Sequence, residues 1–527
     1  MIRKVLCALL MTGLLAVLLL SPTSCSRRSH KGGSDVEMSD SGKRWNRKTD
    51  RTRSKAVVLP ALETGVWYRV EGTPMGPGFI MVESWDTESV TGSCYFETEG
   101  PVAPRRTFAI GTGDAEPWIS YNGGASENLT ADLIDQMTFE RYEAPEFTPV
   151  DCRQMRETAF PVKVTRDVEY GHAQGFWTSL PGVEEKNVRA FTEGYMKSFK
   201  KRDLRLTMDI YEPVDCPGPK PLILLFHGGA FYIGDKGEPA YVDFGNYFAS
   251  MGYVAASIDY RLGFRINKGA ILNASNDAAL DAQAALDALL KTADEHGIDS
   301  SRVFLAGSSA GAMIALKVAY EKRPKNCTVR AVGNMWGAVS SLDVLHDSSC
   351  AIASFHGSDD TVVPYDEGYP IFNTKENIDK RLSEKLYGSA SITREARKIG
   401  LPCSFHTFDG EGHALNTTGK EKTPNAWQPV IRSEMSEFFY RALVPEDAVI
   451  TSDDKGNYIL GNVDGEDATW NLAGGFMIRS DGRSAKVLWR SDVDNRSLRA
   501  AGMRSCGLGY DVTVTESEAA PAAYSEE

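Results

Sequence analysis

Ser309 stands at the centre of Gly307-Ser308-Ser309-Ala310-Gly311, a G-x-S-x-G pentapeptide. A serine hydroxyl is a poor nucleophile at neutral pH. To attack a carbonyl it needs a base, an acid that orients the base, and hydrogen-bond donors for the oxyanion that forms. The flanking sequence supplies the local setting. The apolar run Val303-Phe304-Leu305-Ala306 suits a buried strand, and the Ala-rich run from Ala310 to Tyr320 is long enough for a helix. A serine at that junction occupies a strained strand-to-helix turn that lifts its side chain above the sheet. The free N–H groups of the helix start favour negative charge beside it. Gly307 and Gly311 let neighbouring backbone pass close to the turn, and Ser308 is expected to point away.

The elements that must position these groups lie between about residues 160 and 443, where strand-like and helix-like stretches alternate. Alternation of this kind predicts a parallel sheet covered on both faces. Strands are expected at Pro221–Phe226, Val254–Tyr260, Val303–Ala306, Arg330–Trp336, Ala351–Phe355 and Ser404–Phe408. A helix capped by Ser275 or Asn276 runs to about Glu295, with Ala282, Ala285, Leu286, Leu289 and Ala293 on one apolar face. A closing helix spans roughly Trp427 to Ala442.

Two loops carry resemblances. Phe226-His227-Gly228-Gly229-Ala230-Phe231 resembles the HGGG-type oxyanion loop of esterases and lipases. That implies an oxyanion hole made from the amides of Gly229 and Ala230, joined by Ala310. Alanine at the third glycine position keeps the N–H. His227 precedes the serine and reads as a brace under the loop. His356-Gly357-Ser358-Asp359-Asp360-Thr361-Val362-Val363-Pro364 resembles the HG-x-x-D-x-x-V-P turn of α/β-hydrolases, which implies Asp360 as the acid, with Asp359 the neighbouring candidate. Of eight histidines, His413 alone lies in a flexible loop after the last strand; His30, His172, His296, His346 and His406 fall in a tether, upstream of the core, beyond helix ends or mid-strand. The order Ser309, Asp360, His413 is that of the α/β-hydrolases.

Residues 160–443 are thus similar to exported α/β-hydrolase esterases, near the carboxylesterases and the acetyl- and feruloyl-ester hydrolases. The resemblance implies an α/β fold with a doubly wound, mostly parallel sheet. It implies hydrolysis of short-acyl or carbohydrate-linked esters by a Ser309-His413-Asp360 triad, with no cofactor and no metal. A serine peptidase on the same fold, an inert surface binding protein and an adhesion scaffold remain as alternative readings.

The rest of the chain bounds the setting. A formal net charge of −13 argues against a nucleic-acid partner. Met1 to Lys4 is basic, Val5 to Leu20 is apolar, and Ser21-Pro22-Thr23-Ser24-Cys25 resembles a bacterial lipobox. The implied protein is cleaved before Cys25, lipidated there and held in the cell envelope, at the outer membrane, as an exported lipoprotein. Residues 26–56 read as a polar tether. Residues 57–150 have the texture of a small β domain. Residues 446–520 resemble a PKD-like, immunoglobulin-type sandwich through Trp470, Gly474-Gly475, Trp489, Cys506 and Val512-Thr513-Val514. Apart from Cys7 and Cys25 the chain has seven cysteines, and a bridge among Cys327, Cys350 and Cys403 is an open option.

Overall fold

The computed structural model describes residues 62–516, apart from 86–88, 113–116, 125, 129–132, 134–135, 180–199, 266, 371–383, 420–421 and 466. It also describes three short antiparallel strands at Val36–Ser39, Gly42–Trp45 and Val57–Leu59. The leader and Cys25 lie outside the described residues. The chain divides into two compact units, residues 1–99 with 103–143, and residues 100–102 with 144–527.

The first unit holds a seven-stranded antiparallel sheet between Trp67 and Arg141. Its core follows the period of two that a half-buried strand requires. Tyr68 and Val70, Ile80 and Val82, and Cys94 and Phe96 all face one cluster.

The second unit is built on eight strands: β1 (Val162–Gly175), β2 (Arg202–Pro213), β3 (Lys220–Phe226), β4 (Val254–Ile258), β5 (Ile298–Ser308), β6 (Val329–Met335), β7 (Ala351–Gly357) and β8 (Cys403–Phe408). They lie in the order β1-β2-β4-β3-β5-β6-β7-β8. Only β2 runs against the others. This is the mostly parallel sheet expected of an α/β-hydrolase. Among the described residues, helices of seven residues or more that cover it are α1 (Pro239–Ser250), α2 (Ala270–Lys291), α3 (Ala310–Leu316), α4 (Ser389–Lys398) and α5 (Trp427–Leu443).

The strands are apolar throughout because both faces are covered. Along β3, Leu222, Leu224 and Phe226 join the core beneath α2, α3 and α4, while Ile223 and Leu225 join the core beneath α1 and α5. Each such side chain contributes about 1.5–3 kcal/mol by leaving water. That burial supplies the rigidity on which the strand ends hold their loops.

The helix that precedes β5 starts earlier than its caps suggested. It begins at Ala270, with Gly269 at φ 74° before it. Ile271 and Ala274 extend the buried face upstream, and the Ser275 hydroxyl bonds back to the Leu272 carbonyl at 2.9 Å. Continued burial outweighs the capping tendency of Ser275. All seven cysteines among the described residues are free thiols, so no bridge joins Cys327, Cys350 and Cys403.

The C-terminal strands form two antiparallel sheets over one shared core. Tyr458, Val487 and Trp489 come from one sheet, Trp470, Leu498 and Ala500 from the other. Leu508, between the last two strands, is buried in the core beneath α1 and α5.

Candidate active site

The site forms at the C-terminal ends of β3, β5, β6, β7 and β8, where a parallel sheet leaves its loops free to carry chemistry. Five non-glycine residues near these ends adopt positive φ: Ala230 (53°), Phe231 (60°), Ser309 (53°), Trp336 (42°) and Ala414 (57°). Backbone strain gathers where the structure around it overdetermines the conformation.

Ser309 follows β5 and precedes α3, with ψ of −118°. A Cβ on Gly307 would lie 2.5 Å from the Gly311 backbone, and one on Gly311 would lie 2.0 Å from the Phe226 carbonyl oxygen. Glycine is therefore required at both positions for the turn to close on β3. The Ser309 amide donates to the Met335 carbonyl at 2.9 Å, which fixes the turn to β6.

His413 Nε2 is 2.9 Å from Ser309 Oγ, and His413 Nδ1 is 2.7 Å from Asp360 Oδ2. An ionised carboxylate only accepts, so Nδ1 carries the proton and Nε2 faces the serine hydroxyl as acceptor. The Asp360 side chain is wholly buried. Its other oxygen accepts from the amides of Val362 at 2.7 Å and Val363 at 3.0 Å. Burial works to raise the Asp360 pKa. The hydrogen bonds from His356, His413 and the Val362 amide outweigh it and hold the carboxyl well below the usual carboxylate range. Asp359 is exposed and bonds to Ser358, so the structure brings Asp360 and not Asp359 to His413.

The loop after β3 turns tightly at Gly229 (φ 106°), whose carbonyl accepts from both Tyr232 and Ile233. A Cβ there would lie 2.1 Å from the Ile233 carbonyl oxygen. Among the described residues the Gly229 and Ala230 amides donate no hydrogen bond. Ala310 opens α3 directly after Ser309, so its amide has no partner within the helix. His227 is fully buried under the loop, stacked on Tyr260 with ring centroids 4.4 Å apart. Burial lowers its pKa, and its Nδ1 donates to the Gly228 carbonyl at 2.8 Å. The far end of the loop is held by Lys236. Its amide donates to Asp259 at 2.8 Å, and its Nζ lies 2.8, 3.2 and 3.5 Å from Asp167, Asp259 and Asp209.

Ser309, His413, Gly229 and Ala230 line one cavity of about 340 Å³. Tyr232 and Trp336 line it too, whereas Phe231 packs into the core against Tyr260. Glu238 and Lys422 add a salt bridge of 2.5 Å to its wall. Ser308 does not point away from the site as expected. It lines the cavity, because its Oγ turns to the Tyr241 hydroxyl on α1 at 2.8 Å. Burial raises the Tyr241 pKa, which keeps it a neutral hydrogen-bonding group.

Sequence reasoning missed Tyr241, Glu238 and Lys422, which come to the cavity from α1, the loop before it and the hairpin after His413. No motif marks them. It also placed His356 in a loop without a role, although the H of the HG-x-x-D turn was a visible signal. Among the described residues, no group of three or more His, Cys, Asp or Glu side chains converges as a metal site would require.

Residues 208–335 match a family model described as BD-FAE. The chain is 36% identical over 111 residues to "Probable isoprenylcysteine alpha-carbonyl methylesterase ICMEL1" of Oryza sativa subsp. japonica, covering 21% of this chain and 24% of that protein. It is 31% identical over 109 residues to Gut esterase 1 of Caenorhabditis elegans, covering 20% of this chain and 19% of that protein. The chain thus spans about a quarter of the length of the first curated relatives it matches. Among solved structures it is similar to esterase 2 of Thermogutta terrifontis, with 20% identity, a TM-score of 0.34, and coverage of 45% of this chain and 90% of that one. The family match takes in the Gly229–Ala230 loop and Ser309; Asp360 and His413 lie beyond its end.

Proposed function

We propose that this chain is a serine carboxylic-ester hydrolase. The observation that carries the reading is the hydrogen-bonded line from Ser309 through His413 to Asp360, opening on a cavity whose wall includes the Gly229 and Ala230 amides. His413 takes the Ser309 proton as Oγ attacks the ester carbonyl. The amides of Gly229, Ala230 and Ala310 receive the oxyanion. Asp360 fixes the His413 tautomer and stabilises the imidazolium that forms. His413 then returns the proton to the leaving alcohol and activates water to release the acyl group.

The substrates are short-acyl or carbohydrate-linked esters, acetyl or feruloyl. Supporting this, the cavity is small for a long chain, and Trp336 and Tyr232 offer aromatic edges to an acyl or sugar ring. The protein works in the cell envelope, anchored by lipid on Cys25, with the β regions flanking the hydrolase sheet as accessory domains.

A serine-reactive phosphonate, followed by peptide mapping, tests the mechanism: label on Ser309 supports it, and a wild-type protein that neither labels nor turns over any ester refutes it. A panel of acetyl, butyryl and palmitoyl esters tests the substrate class. kcat/KM is expected to fall with length, since each methylene left outside the cavity forfeits ~0.8 kcal/mol. A profile that rises toward palmitoyl would make it a lipase.

A further inference from the structure

Asp360 is bound by two imidazoles on the same oxygen. His356 Nε2 lies 3.1 Å from Oδ2, the atom that His413 Nδ1 approaches at 2.7 Å. His356 is fully buried at the end of β7, as are its further partners Ser389 and Asn334. Its Nδ1 is 2.8 Å from Ser389 Oγ, and Asn334 Nδ2 is 3.1 Å from the same hydroxyl.

The direction of this chain is fixed from its two ends. The Gly337 amide can only donate, and it meets Asn334 Oδ1 at 3.0 Å, so the Asn334 nitrogen faces the serines. That nitrogen can only donate, so its two protons go to Ser354 Oγ and Ser389 Oγ. Ser389 accepts there and keeps its own proton to donate. At the inner end the ionised Asp360 carboxylate can only accept, so His356 donates from Nε2, and the neutral imidazole accepts at Nδ1 from the Ser389 hydroxyl.

We propose that His356 is a positioning residue for the triad: by donating to the oxygen that also binds His413, it limits how strongly Asp360 draws a proton onto His413. The inference rests on the triad reading above. A carboxylate oxygen shared between two N–H donors presents less charge to each. His413 serves as a base only when Nε2 is free. Removing the His356 donor leaves more charge for the imidazolium, so His413 must hold its proton to higher pH, and the acid limb of the rate profile moves up. The other ionisable groups nearby are matched elsewhere. Glu238 and Lys422 across the cavity pair with each other, and Glu411 accepts from the Trp427 indole. Tyr365, edge-on to His356, bonds Thr407; Asp366 pairs with Arg394. Asp359 is exposed beside Ser358.

The test is the pH profile of kcat/KM on a short-acyl ester for wild type, His356→Leu and His356→Gln. His356→Leu is expected to lose roughly 10- to 100-fold at the optimum, the equivalent of a hydrogen bond to a charged group, and to shift the acid limb upward by roughly one pH unit. His356→Gln, which can place an N–H near Oδ2, should restore most of both. An active His356→Leu with an unmoved acid limb overturns the inference while leaving the triad standing; an inert, unlabelled wild type overturns the triad itself. Should His356→Leu fail to fold, ¹⁵N-imidazole NMR of the wild type decides: a proton on His356 Nε2 and none on Nδ1 supports the proposal, and the reverse refutes it.

Discussion

The two sides of Ser309 are built from different material. On the Asp360 side, buried side chains pass hydrogen bonds from one to the next, from Asn334 through Ser389 and His356 to the carboxylate. On the Gly229 side, the donors are main-chain amides, and side chains only prop the loop from beneath. A side-chain relay can alter the charge of the group it ends on. A backbone loop has fixed dipoles, so its support can change position and little else. Substitutions on the first side should therefore move pH dependence, and those on the second should move kcat or stability at constant pH profile.

The largest effect, on which the comparison hinges, is expected at Ser309. Ser309→Ala should lower kcat by roughly 10⁴- to 10⁶-fold with unchanged circular dichroism and thermal unfolding. A loss below 10-fold would place the chemistry elsewhere. Next, Asp360→Asn should cost up to about 10⁴-fold in kcat, because an amide in place of Oδ2 favours the wrong His413 tautomer. Asp359→Asn, altering an exposed group, should stay within about 2-fold.

On the loop side, Lys236→Met leaves the buried Asp259 without its cation, while Asp209 keeps Arg166 at 3.0 Å. It should destabilise the protein by about 3–5 kcal/mol in urea unfolding, with the acid limb of the surviving activity unmoved. A shifted limb would erase the distinction between the two sides. Gly229→Ala puts a Cβ on the Ile233 carbonyl at a backbone angle alanine resists, and should cost about 10²- to 10³-fold in kcat through displaced amides, with KM less affected. Among the substitutions that break a buried contact, the smallest effect is at Tyr241→Phe. The hydroxyl accepts from the Ser308 amide at 3.1 Å, and its loss should cost about 1 kcal/mol of stability and less than 10-fold in activity.

How much of this could be read from the chain depends on whether the signal was local. The turn at Gly307–Gly311, the small residues at Gly228–Ala230 and the apolar strands each declare themselves within a few residues, because sterics and burial act at that range. Their order along the sequence was enough to name Ser309, Asp360 and His413 as candidates, since each loop follows a strand of one sheet. The start of α2 was misjudged because burial of Ile271 and Ala274 against the sheet, a tertiary fact, overrode the capping preference of Ser275.

The sequence by itself determined the class of sheet and the residue types at its strand ends, because hydrophobic period and turn stereochemistry are properties of short segments. Only the tertiary structure decided which polar groups meet. Asn334, Ser389 and His356 lie on β6, α4 and β7, far apart in the chain, and nothing in any of the three segments requires the others. They are linked because each is buried where water cannot serve as a partner, and a buried polar atom must find its donor or acceptor in whatever segment packs against it.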